Sequence, residues 1–306
     1  MKAKLIRGLH NIRPGHQGST VIIGNFDGVH LGHQALLKKA KETHTKVTVI
    51  TFEPHPMEFF LREKAAARVM RLREKYQVLS HYGLDQLLVL KFDDKLANLS
   101  AEDFIQKILI EKLAVKKVIV GDDFHFGKKR AGDTALLKAC KSFETETLPQ
   151  VFLEGERVSS SRVRKALWVG DFEIVQRLLG RPYVMMGRIV HGDKLGQKLG
   201  YPTANIYLHR TLSPVQGIYV VKMHGLSDRS LQGVASVGTR PTVGGTRMLL
   251  EVHLFDFNQS IYGKQVSVEF CHKLRDEEHF VSLDLLKEKI AEDVSLAQNY
   301  FKKLGE

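Results

Sequence analysis

Two histidines stand three residues apart in GNFDGVHLGH, residues 24–33, where a β-branched run gives way to a helical pattern. Upstream, STVIIG ends in Gly24; downstream, Leu31, Leu36, Leu37 and Ala40 recur at helical spacing. A strand that turns into a helix through glycines offers an anion free backbone N–H groups and the positive end of the helix dipole. Gly24, Gly28 and Gly32 would let the chain turn tightly and bring the main chain of Asn25, Phe26 and Asp27 close to a phosphate. His30 and His33, about one turn apart, would point the same way and hold oxygens whose charge shifts during displacement at phosphorus. The competing reading is that one histidine caps the helix and the other packs.

A second loop has the same character. In GRIVHGDKLGQKLGYPTANI, residues 187–206, Gly187, Gly192, Gly196 and Gly200 precede Pro-Thr-Ala-Asn. With Lys194 and Lys198, such a loop can wrap a triphosphate by backbone N–H groups and positive charge. Glycine turns are common in β domains, so the sharper signal is the Pro-Thr-Ala-Asn segment itself. The hydroxyl of Thr203 and the amide oxygen of Asn205 form a hard-oxygen set suited to Mg²⁺.

The elements around these loops fall into two styles. As far as about residue 180, strands at 20–24, 46–52, 86–92 and 116–121 alternate with helical patterns near 31–43, 71–82 and 101–113. The last helix opens on Ser100 with Asp103 three residues on, like a capping box. Alternation of this kind predicts a Rossmann-like parallel sheet covered on both faces, with ligands beyond the carboxyl ends of its strands. The unusual segments GNFDGVHLGH, TFEPHPMEFF and GDDFHFGKKRAGD follow those ends. After LLGRPYVMMG come short β-rich segments separated by turns, which predict a small antiparallel barrel or sandwich closed by the helix SLDLLKEKIAEDVSLAQNYFKKL. The reading is α/β plus β, with domains at 1–183 and 184–306.

Composition narrows the class. The 306 residues are 43% hydrophobic and 26% charged, as in ordinary globular proteins. No apolar run approaches a membrane span, and MKAKLIRGLHNIRPG lacks a secretion signal. Cys140 and Cys271 lie outside any metal-ligand spacing and read as buried or idle thiols in a reducing cytoplasm. The net charge of +12 invites nucleic acid, but the lysines mix with glutamates in LLKKAKE, RLREKY and LLKEKIAED, which read as solvated helix faces. A positive field equally suits an enzyme handling nucleoside triphosphates, and nucleic acid comes second.

GNFDGVHLGH resembles the H-x-G-H signature of nucleotidylyltransferases. With TFEPHP, VGDDFHFGKKRAGD and RVSSSRVR in order, it is similar to the adenylyltransferase half of the bacterial bifunctional riboflavin kinase/FMN adenylyltransferases (FAD synthetases). The resemblance implies that His30 and His33 steady the α- and β-phosphates of ATP while the FMN phosphate attacks and pyrophosphate leaves. Asp123, Arg157, Ser160 and Arg164 match the pattern, whereas His125 stands where many members carry arginine. Asp123 could instead cap a turn, and either arginine could lie on a solvated face. Phe59 and Phe60 could stack on isoalloxazine or belong to the core. The segment from the glycine loop through GIYVV, GVASVGTRPT, LEVHLFDF and IYGKQVSVEFCHKLRDE resembles the flavokinase domain. That likeness implies MgATP at the glycine loop, Thr203 and Asn205 as metal ligands, and Glu251 as general base for the riboflavin 5′-hydroxyl. By pattern alone Glu251 is an outward carboxylate on an alternating strand. Arg275 could hold the flavin or pair with Glu278. The runner-up enzyme is a nucleotidylyltransferase for another phosphorylated acceptor with an accessory β domain.

Overall fold

A computed structural model describes residues 3–192, 195–242 and 245–305. The chain divides into two compact units, one of Met1–Ala66 with Met70–Ser160 and one of Ala67–Val69 with Ser161–Glu306.

The first unit is built on β1 (Lys4–Arg7), β2 (Thr20–Ile23), β3 (Val47–Glu53), β4 (Gln86–Lys91), β5 (Lys117–Gly121) and β6 (Glu144–Leu148). All pairings are parallel, in the order β1-β4-β3-β2-β5-β6. The pleat sends successive residues to opposite faces. Val21, Ile23, Ile50, Leu88 and Val118 pack with Phe104, Ile105 and Leu109, while Ile22, Val49, Leu87 and Ile119 pack with Leu37, Ala40 and Leu79 on the other face. Burial on both sides is why the central strands read as unbroken apolar runs. The edge strands did not stand out in the sequence for the converse reason. Only Ile6 of β1 is buried, and the glutamates of β6 are held by lysines, Glu146 by Lys117 at 2.7 Å and by Lys39 at 3.3 Å.

Helices Leu31–Lys41 and Leu72–His81 lie where the periodicity puts them. The third begins as Ala101–Asp103, with Ser100 Oγ accepting from Asp103 N–H at 3.0 Å, and runs on as a π-helix over Phe104–Lys112. Apolar spacing near 3.6 residues does not distinguish that wider winding. A two-stranded ribbon, β7 (Phe152–Leu153) and β8 (Glu156–Arg157), brings the chain to helix Ser160–Val169.

The second unit is a closed barrel of β9 (Val184–Val190), β10 (Ala204–Tyr207), β11 (Gly217–His224), β12 (Leu231–Thr242), β13 (Gly245–Leu254) and β14 (Gln265–Arg275). The ring runs β10-β13-β12-β11-β14-β9, and every pairing is antiparallel. Helix Leu283–Lys303 covers part of its outside by packing Ala297 and Phe301 on Val220 and Val234. Arg275 fastens that helix to the end of β14 through two hydrogen bonds to Asp293, at 2.9 and 2.7 Å. Asp293 is buried although LLKEKIAED reads as a solvated face. Burial alone would lower the Arg275 pKa, but the hydrogen bonds and charge of Asp293 outweigh it and hold it above its ordinary value.

Helix Phe172–Leu179 belongs with the barrel. Phe172 meets Tyr219 edge-on at 5.8 Å and stacks on Phe270 at 6.0 Å, and Val175, Leu178 and Leu179 are also buried. A fragment starting at 184 loses this layer. Expressed fragments 161–306 and 184–306 should therefore differ, the longer melting higher by several degrees in a thermal scan; equal melting temperatures would mean the helix contributes nothing.

Candidate functional sites

At the first site the chain leaves β2 through a turn whose shape is set from several sides. Gly24 N–H is still part of the sheet, donating to Ile50 C=O at 3.1 Å. Phe26 (φ 51°), Gly28 (φ 89°) and Val29 (φ 46°) then take left-handed conformations. That is ordinary for glycine and strained for phenylalanine and valine. Both strained residues bury their side chains completely, so Phe26 anchors the turn in the core and can meet a ligand only through its main chain. Asp27 is likewise buried, its carboxylate accepting from Met70 N–H at 3.1 Å. Ser160 Oγ donates to Asp27 C=O at 2.7 Å, and Gln34 Nε2 to Val29 C=O at 2.9 Å.

His30 occupies the N-cap position of helix Leu31–Lys41 but makes no side-chain capping bond. Its imidazole instead stacks on that of His33, centroids 3.7 Å apart and planes 22° from parallel. Phe26 backs the pair, 4.7 Å from the His33 ring. Gly32 leaves room for this, because a Cβ there would come within 3.3 Å of the His30 ring. The first helical bond runs from Gln34 N–H to His30 C=O, which leaves the earlier amides directed out of the helix end. Asn25 Oδ1 is buried without a hydrogen-bond partner.

Around this turn, Asp123 and Arg157 form an ion pair with each other, and His125 Nδ1 hydrogen-bonds Asp123 C=O at 2.9 Å. Arg164 Nη1 donates to Ser161 Oγ at 3.3 Å. Phe59 and Phe60 are not core residues: Phe60 is 61% exposed on helix Pro56–Leu61. The two rings meet each other and Phe92 edge-on at 5.3 to 5.7 Å. One participant escaped the sequence reading. Lys75, within a segment read as a solvated face, is buried and donates to Thr51 Oγ1 at 3.2 Å, which donates in turn to Asn25 C=O at 3.2 Å. Its signal would have been a lysine on the apolar side of the helix.

The second site lies on the outside of the barrel. Leu250, Val252 and Leu254 are buried, so Glu251 projects from the opposite face of β13. Its register neighbours are Asn205 on β10 and Ser236 on β12. The glycine loop closes over Asn205: a Cβ on Gly192 would lie 2.6 Å from its amide carbon. One on Gly196 would fall 2.4 Å from Tyr201 C=O and 3.4 Å from Thr203 Oγ1. Asn205 Nδ2 donates to Thr203 C=O at 3.2 Å, leaving its oxygen available. These hard-oxygen donors beside a loop whose glycines at 192 and 196 leave no room for a Cβ fit a cation carrying a triphosphate. Gly187 packs within β9, where a Cβ would strike Ile206 at 2.2 Å, and Gly200 turns the chain after helix Leu195–Lys198 with φ 91°. Lys194 lies outside the described residues. Arg275 is engaged by Asp293, with Glu278 a looser contact at 3.6 Å.

Comparison with known proteins matches both halves. The FAD synthetase family model covers residues 12–162 and the riboflavin kinase model residues 179–301. The chain is 47% identical over 305 residues to the bifunctional riboflavin kinase/FMN adenylyltransferase of Haemophilus influenzae, spanning 97% of this chain and 99% of that one. It is 47% identical over 306 residues to the protein of that description from Escherichia coli K12, spanning 97% and 98%. A solved structure from Streptococcus pneumoniae, described as a macrolide-efflux protein, superposes with a TM-score of 0.81 at 31% identity over 98% of this chain and 99% of that one. Among the described residues no helix is long and apolar enough to cross a membrane.

The turn's dependence on Asp27 can be measured. Asp27→Ala strands the buried Met70 N–H, which should cost about 1–3 kcal/mol in urea unfolding and speed exchange of the Met70 amide. Unchanged stability and exchange would show that the carboxylate does not hold the turn.

Proposed function

The chain belongs to the family of bifunctional riboflavin kinases/FMN adenylyltransferases, and from that membership we propose which of its residues carry each step. It phosphorylates riboflavin with ATP to FMN and adenylylates FMN with ATP to FAD, releasing pyrophosphate. We assign adenylyl transfer to the unit of the parallel sheet and phosphorylation to the unit of the barrel. The observation behind this division is that each phosphate loop sits in its own folded unit, one beyond a parallel sheet and one on the outside of a barrel.

In adenylyl transfer an FMN phosphate oxygen bonds to the α-phosphorus of ATP as the bond to pyrophosphate breaks, with no enzyme nucleophile. Charge grows on the departing pyrophosphate, so the useful groups are donors already in place. His30 and His33 supply ring N–H groups, and the amides at the helix end supply the rest. Asn25 Oδ1, costly to leave buried and unpaired, would accept from the bound nucleotide. Arg157, steered by Asp123, with Ser160 and Arg164, completes the anion site. The exposed ring of Phe60, backed by Phe59, offers a face for isoalloxazine.

In phosphorylation Glu251 takes the proton from the riboflavin 5′-hydroxyl as that oxygen bonds to the γ-phosphorus and ADP leaves. Gly192, Gly196 and Gly200 bring main-chain donors to the triphosphate, aided by Lys194. Thr203 and Asn205 would hold Mg²⁺, which when bound neutralises phosphate charge. Arg275 serves the fold through Asp293. ATP and Mg²⁺ as requirements fit a cytoplasmic setting.

Substitutions at the two sites should separate the steps. His30→Ala or His33→Ala should lower FAD formation from supplied FMN by about 10²–10³ while riboflavin phosphorylation persists. Glu251→Gln should lower FMN formation by about 10²–10⁴ with riboflavin affinity and FMN adenylylation retained. Steady-state assays of each half-reaction by chromatography decide it. Loss of both activities from either change would mean the assignments are wrong.

A further inference from the structure

We propose that His253 is a positioning residue for the kinase step, fixing the Tyr201-Pro202-Thr203 segment so that the Thr203 hydroxyl faces the metal; this rests on reading Thr203 and Asn205 as magnesium ligands. The β10–β13 ladder begins at the pair Ala204 and Val252. Continued by one residue, that register would set Thr203 opposite His253, but Thr203 lies beyond the strand. A side chain does the work the ladder no longer does.

His253 Nδ1 lies 2.9 Å from Pro202 C=O. A carbonyl only accepts, so Nδ1 carries the proton. The imidazole also meets the Tyr201 ring edge-on, centroids 5.4 Å apart at 84°. From the other side Gly196 presses on the same segment, since a Cβ there would fall 2.4 Å from Tyr201 C=O and 3.3 Å from Thr203 Cγ2. Tyr201 N–H donates to Gly196 C=O at 2.8 Å. The two residues before Thr203 are thus clamped between the glycine loop and His253, and Asn205 completes the set by donating to Thr203 C=O. His253 shares a face of β13 with Glu251, two residues away, so one strand carries both the base and the group that orients a metal ligand. Partners of this outer kind commonly shift metal affinity about 10–100-fold without touching the ion.

The test uses the full chain with His253→Phe, which keeps a ring against Tyr201 but removes the donor, and His253→Asn, whose amide N–H takes a place near that of Nδ1. His253→Phe should raise the Mg²⁺ needed for half-maximal riboflavin phosphorylation about tenfold, leaving the KM for riboflavin and the adenylylation of supplied FMN unchanged. His253→Asn should recover most of the loss. Hydrogen exchange of peptides covering 199–206, with and without Mg-ADP, gives a reading independent of turnover: the phenylalanine variant should need more Mg²⁺ for protection. Thr203→Ala is run alongside. A raised Mg²⁺ requirement in Thr203→Ala but not in His253→Phe overturns the positioning role and leaves the ligand reading intact. No change in either overturns both. An asparagine variant as impaired as the phenylalanine variant also overturns it, because the donor would then not be what matters.

Discussion

The seven residues between Ile23 and Leu31 must carry the chain from the end of a strand into a helix through a tight turn, and the first unit is arranged to permit it. Phe26 and Val29 adopt left-handed backbone conformations that cost about 1–3 kcal/mol each. Each is fully buried, and burying such side chains stabilises by about 1.5–3 kcal/mol. The two effects are of one size, so apolar burial can hold the strained turn. The polar anchors choose among the shapes left: Thr51 to Asn25, Ser160 to Asp27, the Asp27 carboxylate to Met70, Gln34 to Val29. What the turn then presents is a helix end and two stacked imidazoles.

The barrel reaches the same end by a different route. There the pleat sends Glu251 outward and the register sets Asn205 and Ser236 beside it, so no backbone strain is needed to gather them. The constraint is steric: Gly192 and Gly196 approach Asn205 and Tyr201 more closely than any Cβ would allow. One unit shapes its candidate site by bending a turn that side chains hold in place, the other by laying glycines of a loop directly on its neighbours.

Much of this was legible in residue order. The central strands, the helices between them and the capping serine at 100 followed from periodicity and composition, because burial on both faces leaves an unbroken apolar signature. The histidine pair and the Pro-Thr-Ala-Asn segment could be singled out by chemistry and spacing. Charge was the misleading guide. Glu74, Lys75 and Asp293 sit in segments that read as solvated faces, yet all three are buried. Lys75 and Asp293 meet their partners, Thr51 and Arg275, through tertiary contact that helical spacing does not encode, whereas Glu74 is held locally by Arg71 N–H in a capping box. Phe26 was hidden in the opposite way, a residue inside a motif read as phosphate-binding whose side chain belongs to the core. Strand order and the Asn205–Glu251 register are properties of pairing between distant segments, which no local pattern encodes.

If each reaction is carried by its own set of residues, with FMN as the shared compound, two defective variants should complement each other when mixed. Equal amounts of His33→Ala and Glu251→Gln are incubated together with riboflavin, ATP and Mg²⁺, and flavins are tracked by chromatography. The account predicts that FMN made by the first protein is taken up by the second, so FAD appears after a lag although neither variant alone makes it at an appreciable rate. A mixture that accumulates FMN and forms no FAD, while Glu251→Gln remains folded, would contradict it.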